Sequence, residues 1–213
     1  ILLYTSGTTG DSKGVMLSQK NVIFNSYQAA GIQPINEHDR FLSVLPLSHT
    51  YENTLGLILP ILNGAGVTYL RKPPTASVLV PAMQSVKPDF MLTVPMIIEK
   101  VFKNSVLPQI KKKATTRAMY NNKLTRKLVY RIAGKKLYKT FGGNLKFFGI
   151  GGAKLDAQVE EFLRDGKFPY AIGYGLTETA PMLAGSNPSM TKYQAIGPKV
   201  IECELKLDNP DPK

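Results

Sequence analysis

Three short apolar runs, at residues 41–45, 90–94 and 145–150, constrain this chain more than any other feature. Each has strand length, and none shows the strict alternation of a sheet with one wet face; only Lys146 interrupts the third. Such runs suit strands covered on both sides, as in parallel sheets. Helical patterns lie between and around them. Ser18 is placed as an N-cap, Ile23, Tyr27 and Ala30 follow at helical spacing, and Gly31 suits a left-handed end. Asp156 caps a second helix, lined by Val159, Phe162 and Leu163 and closed by Gly166. Residues 170–173 read as a further short strand. Strands alternating with helices predict an α/β fold, with largely parallel sheet flanked by helices. A chain of 213 residues is long enough to bury a real core.

The uncharged stretch 53–70 is broken by Pro60, Asn63, Gly64 and Gly66, leaving only 55–62 densely apolar. A membrane span needs about 20 apolar residues, so a buried helix followed by a buried strand is expected. Near the end, Cys203, Leu205 and Leu207 alternate with charged residues, which predicts a half-exposed strand opening a β-rich subdomain. The start, Ile1-Leu2-Leu3-Tyr4, has neither an initiator Met nor a basic leader and reads as mid-strand. One cysteine allows no internal disulfide, as expected in a reducing compartment. Net charge is +12, yet residues 100–139 hold thirteen Lys and Arg and no acid, so one segment carries the excess. That concentration, without interleaved aromatics in a recognisable module, argues against nucleic-acid binding.

The glycine-rich segment 4–15 is the strongest local signal. Gly7, Gly10 and Gly14 let the backbone approach a ligand closely. Thr5, Ser6, Thr8 and Thr9 can donate hydrogen bonds to phosphate oxygens, and Lys13 adds a charge-assisted donor. By composition alone a flexible polar turn fits as well. It is not a Walker loop, because two residues, not four, separate Gly10 from Lys13, and Gly14 follows the lysine. Further along, Gly173 and Gly175 bracket Tyr174, freeing its ring to lie against a purine. Thr177 and Glu178 follow, two oxygen donors of the kind a hard Mg²⁺ ion takes; alone, Glu178 would also fit an exposed loop acid.

Segments 4–14 and 173–179 resemble the two hallmark motifs of the AMP-binding, adenylate-forming superfamily; Ser12 stands where that family usually has Pro. Segment 45–52 resembles the family's histidine segment, and Gly151-Gly152-Ala153 its tight turn; all four occur in family order. The resemblance implies that Thr5, Ser6, Gly7, Thr8, Thr9, Gly10 and Lys13 hold the phosphates of ATP. It places adenine against Gly152, Ala153, Gly173, Tyr174 and Gly175, and the acyl group near His49 and Gly151. Lys13, Thr177 and Glu178 become the catalytic set, with Glu178 and Thr8 toward Mg²⁺. Taken alone, His49 fits a structural histidine equally.

Residues 94–101, followed by the long basic stretch, are similar to the long-chain fatty acyl-CoA synthetase branch. The implied chemistry activates a fatty acid with ATP to acyl-AMP, then transfers it to CoA; an acyl-AMP ligase serving a carrier protein is the alternative, as is a non-catalytic nucleotide-binding module. Residues 1–198 are then the central part of the adenylation domain, with 199–213 opening the next subdomain. The N-terminal part, the ribose-gripping acid and the mobile C-terminal lid domain would lie outside these residues, leaving this stretch inactive alone. A cytoplasmic location follows, with possible peripheral contact to anionic membrane through 100–139. There, Leu124, Leu128 and Ile132 recur every four residues among basic ones. Their simplest expected role is to pack on the core.

Overall fold

The computed structural model describes residues 1–5 and 13–206. Strands β1 (Leu2–Thr5) and β2 (Lys13–Met16) form an antiparallel pair, with Thr5 opposite Lys13. The helix α1 (Gln19–Ile32) then leads to β3 (Arg40–Ser43). A wide π-turn (Glu52–Ile58), α2 (Leu59–Leu62) and β4 (Gly66–Tyr69) follow. Next come α3 (Ala76–Val86), β5 (Phe90–Thr93) and α4 (Pro95–Val101). A second π-turn (Phe102–Val106) opens α5 (Leu107–Lys112), α6 (Ala114–Asn121) and α7 (Lys123–Thr140). The chain continues through β6 (Phe147–Ile150), α8 (Ala157–Asp165), β7 (Tyr170–Gly175), a 3₁₀ turn (Thr177–Thr179) and β8 (Met182–Gly185).

The main sheet has six strands in the order β4-β3-β5-β6-β7-β8. All neighbours are parallel except β7 and β8. The three apolar runs are its central strands β3, β5 and β6, as expected. One face, carrying Leu42, Met91, Phe148 and Tyr170, packs under the larger helical layer in a single core with Phe102, Tyr130 and Phe162. The other face carries Phe41, Phe90, Leu92 and Phe147 toward α2 and the first π-turn. At the sheet's N-terminal edge, Arg40 Nε donates to Asp89 at 3.0 Å, and the Lys146 ammonium bridges Asp39 and Asp89. These contacts clip β3, β5 and β6 together where their chains enter. Attraction to both carboxylates raises the Lys146 pKa above the ordinary lysine range.

Both π-turns run directly into a Leu-Pro pair, Leu59-Pro60 and Leu107-Pro108. A helix-interior proline lacks the donor for an i−4 bond and its ring crowds that carbonyl. The widened turn removes the conflict: Leu59 N–H donates to Thr54 O and Leu107 N–H to Phe102 O, five residues back.

The expected caps are present. Ser18 Oγ accepts from Asn21 N at 3.1 Å while Asn21 Oδ1 accepts from Ser18 N at 2.9 Å. Asp156 Oδ1 accepts from Gln158 N and Val159 N, and Val159, Phe162 and Leu163 are fully buried. Gly166 closes α8.

Five expectations fail, most of them on which surface is covered. In α1, Ile23 and Tyr27 face solvent, Ala30 is only partly buried, and Asn25, Ser26 and Gln28 are buried instead. The reason is distant pairing. Asn25 exchanges two hydrogen bonds with the Met182 backbone, and Gln28 Nε2 donates to Ile201 O at 2.6 Å. Gly31 lies inside that helix, which ends at Gln33 in extended backbone ahead of Pro34. The strand after residues 55–62 is β4, a mostly exposed edge rather than a buried strand. Residues 203–206 form no strand, and Leu207 and Asp208 lie outside the described residues. In α7 the core side is Val129, Tyr130, Gly134 and Leu137, so Leu124, Leu128 and Ile132 point outward. Among the described residues, no helix is long and apolar enough to cross a membrane.

Candidate functional site

Parallel strands bring their C-terminal ends to one edge of the sheet, where open α/β sheets offer a crevice for ligands. After β3 the chain runs through 45–49 into the first π-turn; after β6 it makes the Gly151–Gly152 turn; β7 ends at Tyr174 and Gly175. Three of the four expected motifs therefore share this edge. His49 sits exposed on a turn, its N–H donating to Pro46 O at 3.0 Å. Two residues later the Tyr51 ring lies across β6. A Cβ on Gly151 would sit 3.3 Å from the ring, and one on Gly149 would sit 3.1 Å from its hydroxyl. Glycine at both positions is what lets this aromatic cover the strand end.

The Gly151–Ala153 turn leaves the sheet with Gly152 at φ +89°, a conformation that side chains with a Cβ rarely adopt. Gly152 and Ala153 are exposed and Gly151 is buried. Gly175 has a different reason: a Cβ there would stand 1.8 Å from Pro181 O. That contact brings the chain after the 3₁₀ turn hard against the end of β7. Leu176 N donates to Pro181 O at 3.0 Å and to Thr179 Oγ1 at 3.0 Å, and Thr179 donates back to the Leu176 and Pro181 carbonyls. Thr179 thus pins the turn that displays Thr177 and Glu178. Its role was hidden in the sequence, since a hydroxyl in a polar turn has several equivalent uses. Tyr174 is 46% exposed and Glu178 is open to solvent.

The strands that flank the fourth motif, β1 and β2, reach the same place. Strand β2 lies against the Thr177–Thr179 turn. Ala180, directly after that turn, packs in one apolar cluster with Leu17 and Val22, joined by Leu3 and Val15 of the hairpin. Thr5 and Lys13 pair across the end of this hairpin. Ser6, Gly7, Thr8, Thr9 and Gly10 lie outside the described residues. The hairpin strand β2 thus meets the turn that displays Thr177 and Glu178, three and four residues after the exposed Tyr174. The AMP-binding enzyme family matches the sequence over residues 1–213.

The chain belongs to the AMP-binding enzyme family.

Among curated relatives, Long chain acyl-CoA synthetase 3 of Arabidopsis thaliana is 28% identical, over 98% of this chain and 34% of its own length. Long-chain-fatty-acid–CoA ligase 1 of Saccharomyces cerevisiae is 32% identical, over 84% of this chain and 28% of its own. The chain thus spans about a third of the curated relatives it matches. Its fold is shared with the o-succinylbenzoate coenzyme A synthetase MenE of Bacillus subtilis, solved in complex with AMP. The TM-score is 0.73 at 22% identity, covering 97% of this chain and 36% of that one. A malonyl-CoA ligase superposes with a TM-score of 0.70 at 19% identity, covering 93% and 37%.

Beneath the strand ends, a cavity of about 60 Å³ is lined by Tyr51, Leu55, Leu59, Gly149, Gly173 and Met182, among others. Gly173 reaches it; His49 and Gly151 do not line it. Beside it the first π-turn buries Glu52 almost completely, with Oε2 lacking a hydrogen-bond partner among the described residues. Burial pushes its carboxyl up to about 7, a shift that the Ser43 hydroxyl partly offsets. Its folded pKa is therefore above its unfolded one, and folding favours the protonated form. This contribution is complete below about pH 4.5 and is lost as pH rises through about 7, a swing of about 3 kcal/mol. Urea midpoints of the protein and of Glu52→Gln should accordingly diverge between about pH 5 and about pH 8, with the variant gaining in relative stability. Parallel pH profiles would show Glu52 to be solvated.

Proposed function

We propose that this chain supplies the ATP-binding part, and some of the acyl-binding part, of a long-chain fatty-acid–CoA ligase. The observation that carries the reading is the meeting of the Thr5–Lys13 hairpin with the Thr177–Glu178 turn beside Tyr174. Its support in kinship is that the curated relatives named above are long-chain acyl-CoA synthetases.

In this reading the fatty acid carboxylate oxygen attacks the α-phosphorus of ATP. A phosphorus–oxygen bond forms to the acyl group, and the bond to pyrophosphate breaks. The thiol sulfur of CoA then attacks the acyl carbon and AMP leaves, the thiol proton passing to solvent or a base. The first step gathers negative charge on phosphate oxygens, so preorganised donors and charges do most of the work. Lys13, with hydroxyls such as Thr5, stabilises the departing pyrophosphate; Thr177 orients the α-phosphate; Tyr174 stacks on adenine; the Gly151–Ala153 turn lets backbone approach the adenylate. The apolar cavity under Tyr51 is the inner end of the acyl path.

Mg²⁺ fits the residues at hand. Glu178 is exposed and takes part in no ion pair among the described residues. Mg²⁺ in nucleotide sites is commonly held by one or two carboxylates together with substrate phosphates. When bound, the ion neutralises charge on those phosphates. Thr8, the other expected ligand, lies outside the described residues.

The test is product analysis of the whole protein with ATP, Mg²⁺, CoA and a panel of fatty acids. Acyl-CoA and AMP should form in equal amounts with long-chain acids. Acyl-AMP that accumulates despite CoA, and moves only to a carrier protein, would make the enzyme an acyl-AMP ligase; no acid-dependent consumption of ATP would end the ligase reading.

A further inference from the structure

The outward stripe of α7 is unusual for a helix with a well-packed inner face. Leu124, Leu128 and Ile132 are 90%, 54% and 65% exposed, while Val129 and Tyr130 on the opposite side are buried. Each stripe residue is followed three positions later by an exposed base, Lys127, Arg131 and Lys135, so apolar and cationic groups share one solvent-facing surface. Among the described residues, only Lys103 and Arg126 of the thirteen bases in 100–139 reach a carboxylate, Glu99 at 4.0 Å and Glu161 at 3.9 Å. Ile132 also forms one lip of an apolar groove of about 450 Å³, lined by Val80, Met83, Ile110, Met119 and Lys136 as well. The stripe therefore continues into a trough of similar character.

We propose that this face of α7 docks on an anionic lipid surface, with Leu124, Leu128 and Ile132 entering the headgroup boundary and Lys127, Arg131 and Lys135 reaching lipid phosphates and carboxylates. Charge complementarity selects this occupant. A second copy would set one basic segment against another. A nucleic acid backbone would satisfy the bases and leave three large apolar side chains without a partner. An anionic bilayer satisfies both, since the long basic stems lie along apolar surface and carry their charges to the interface. The inference is independent of the ligase reading, because lipid binding needs neither ATP nor turnover.

Cosedimentation of the whole protein with vesicles tests it, comparing phosphatidylcholine alone with equal parts phosphatidylcholine and phosphatidylserine. Binding to the mixed vesicles is expected, and little to the neutral ones. Each base near an anionic surface contributes about fivefold in affinity, so Lys127→Glu/Arg131→Glu/Lys135→Glu should weaken binding by roughly a hundredfold. Leu124→Ser/Leu128→Ser/Ile132→Ser should weaken it by at least about tenfold while leaving retention on heparin unchanged, because the charges remain. A fluorophore on Leu128→Cys in a Cys203→Ser background should report water without vesicles and an apolar setting with them. The proposal is overturned by equal binding to both vesicle types or to neither, or by serine variants that sediment like the parent. A probe already shielded before lipid is added would also overturn it, by showing that the protein itself or a second copy covers the stripe. So would stoichiometric capture of free oleate without vesicle binding, which would make the groove a fatty-acid site.

Discussion

Glu178→Gln in the whole protein should lower fatty-acid-dependent ATP–pyrophosphate exchange by roughly a hundredfold, the scale seen when one preorganised electrostatic group is removed from a charged transition state. The substitution keeps the size of the side chain and deletes its charge. Folding should be almost untouched, because Glu178 is exposed and makes no ion pair among the described residues, and such surface changes stay within about 0.5 kcal/mol. The exchange assay reads the first half-reaction alone, so a defect in CoA transfer cannot imitate the effect. Raising Mg²⁺ should recover part of the rate in Glu178→Gln and none in Lys13→Ala, where the lost cation is not one that free metal replaces. Unchanged exchange in Glu178→Gln would remove this residue from the machinery. It would leave the contact between β2 and the Thr177–Thr179 turn without its assigned purpose.

Phe162→Ala should cost about 3–5 kcal/mol of folding stability, the usual loss for a large aromatic deleted from a tight core. Phe162 is fully buried, and its ring centre lies 5.0 Å from that of Phe102 and 5.4 Å from that of Tyr130. It is thus the point where α8, α7 and the second π-turn meet. A typical domain has only about 5–15 kcal/mol in hand, so the variant should sit near the edge of folding at ordinary temperature. Leu124→Ala is the comparison, an equally apolar residue in the sequence but 90% exposed, and it should change stability by less than about 0.5 kcal/mol. Urea midpoints of both variants check the pair. A loss below about 1 kcal/mol for Phe162→Ala would show that this helical layer is loosely packed.

Helix faces were where sequence and structure parted. Periodicity marks which side of a helix is apolar, and for α8 that side, Val159, Phe162 and Leu163, is the buried one. For α1 it is not, because a buried amide costs little once a distant backbone satisfies it, as Met182 satisfies Asn25. Nothing within residues 18–32 announces a partner more than 150 positions away. Segments 4–14 and 173–179 stood out in the sequence because each concentrates glycines with hydroxyl, cationic, carboxylate or aromatic groups inside a few residues. The roles of Thr179, Tyr51 and Glu52 were not. They arise from contacts with Pro181, Gly151 and the interior beside Ser43.

The sequence by itself determined the parallel central strands, the caps at Ser18 and Asp156 and the order of the motifs, since each depends on neighbours along the chain. Only the tertiary structure decided which surfaces are covered. In α7 the helix meets Gly166 so closely that a Cβ on Gly134 would stand 2.5 Å from its carbonyl oxygen. That approach turns Gly134 and Tyr130 inward, and Leu124, Leu128 and Ile132 of the same helix outward. Burial is a property of what packs against a residue, and a local pattern of polarity cannot specify that partner when it lies far along the chain.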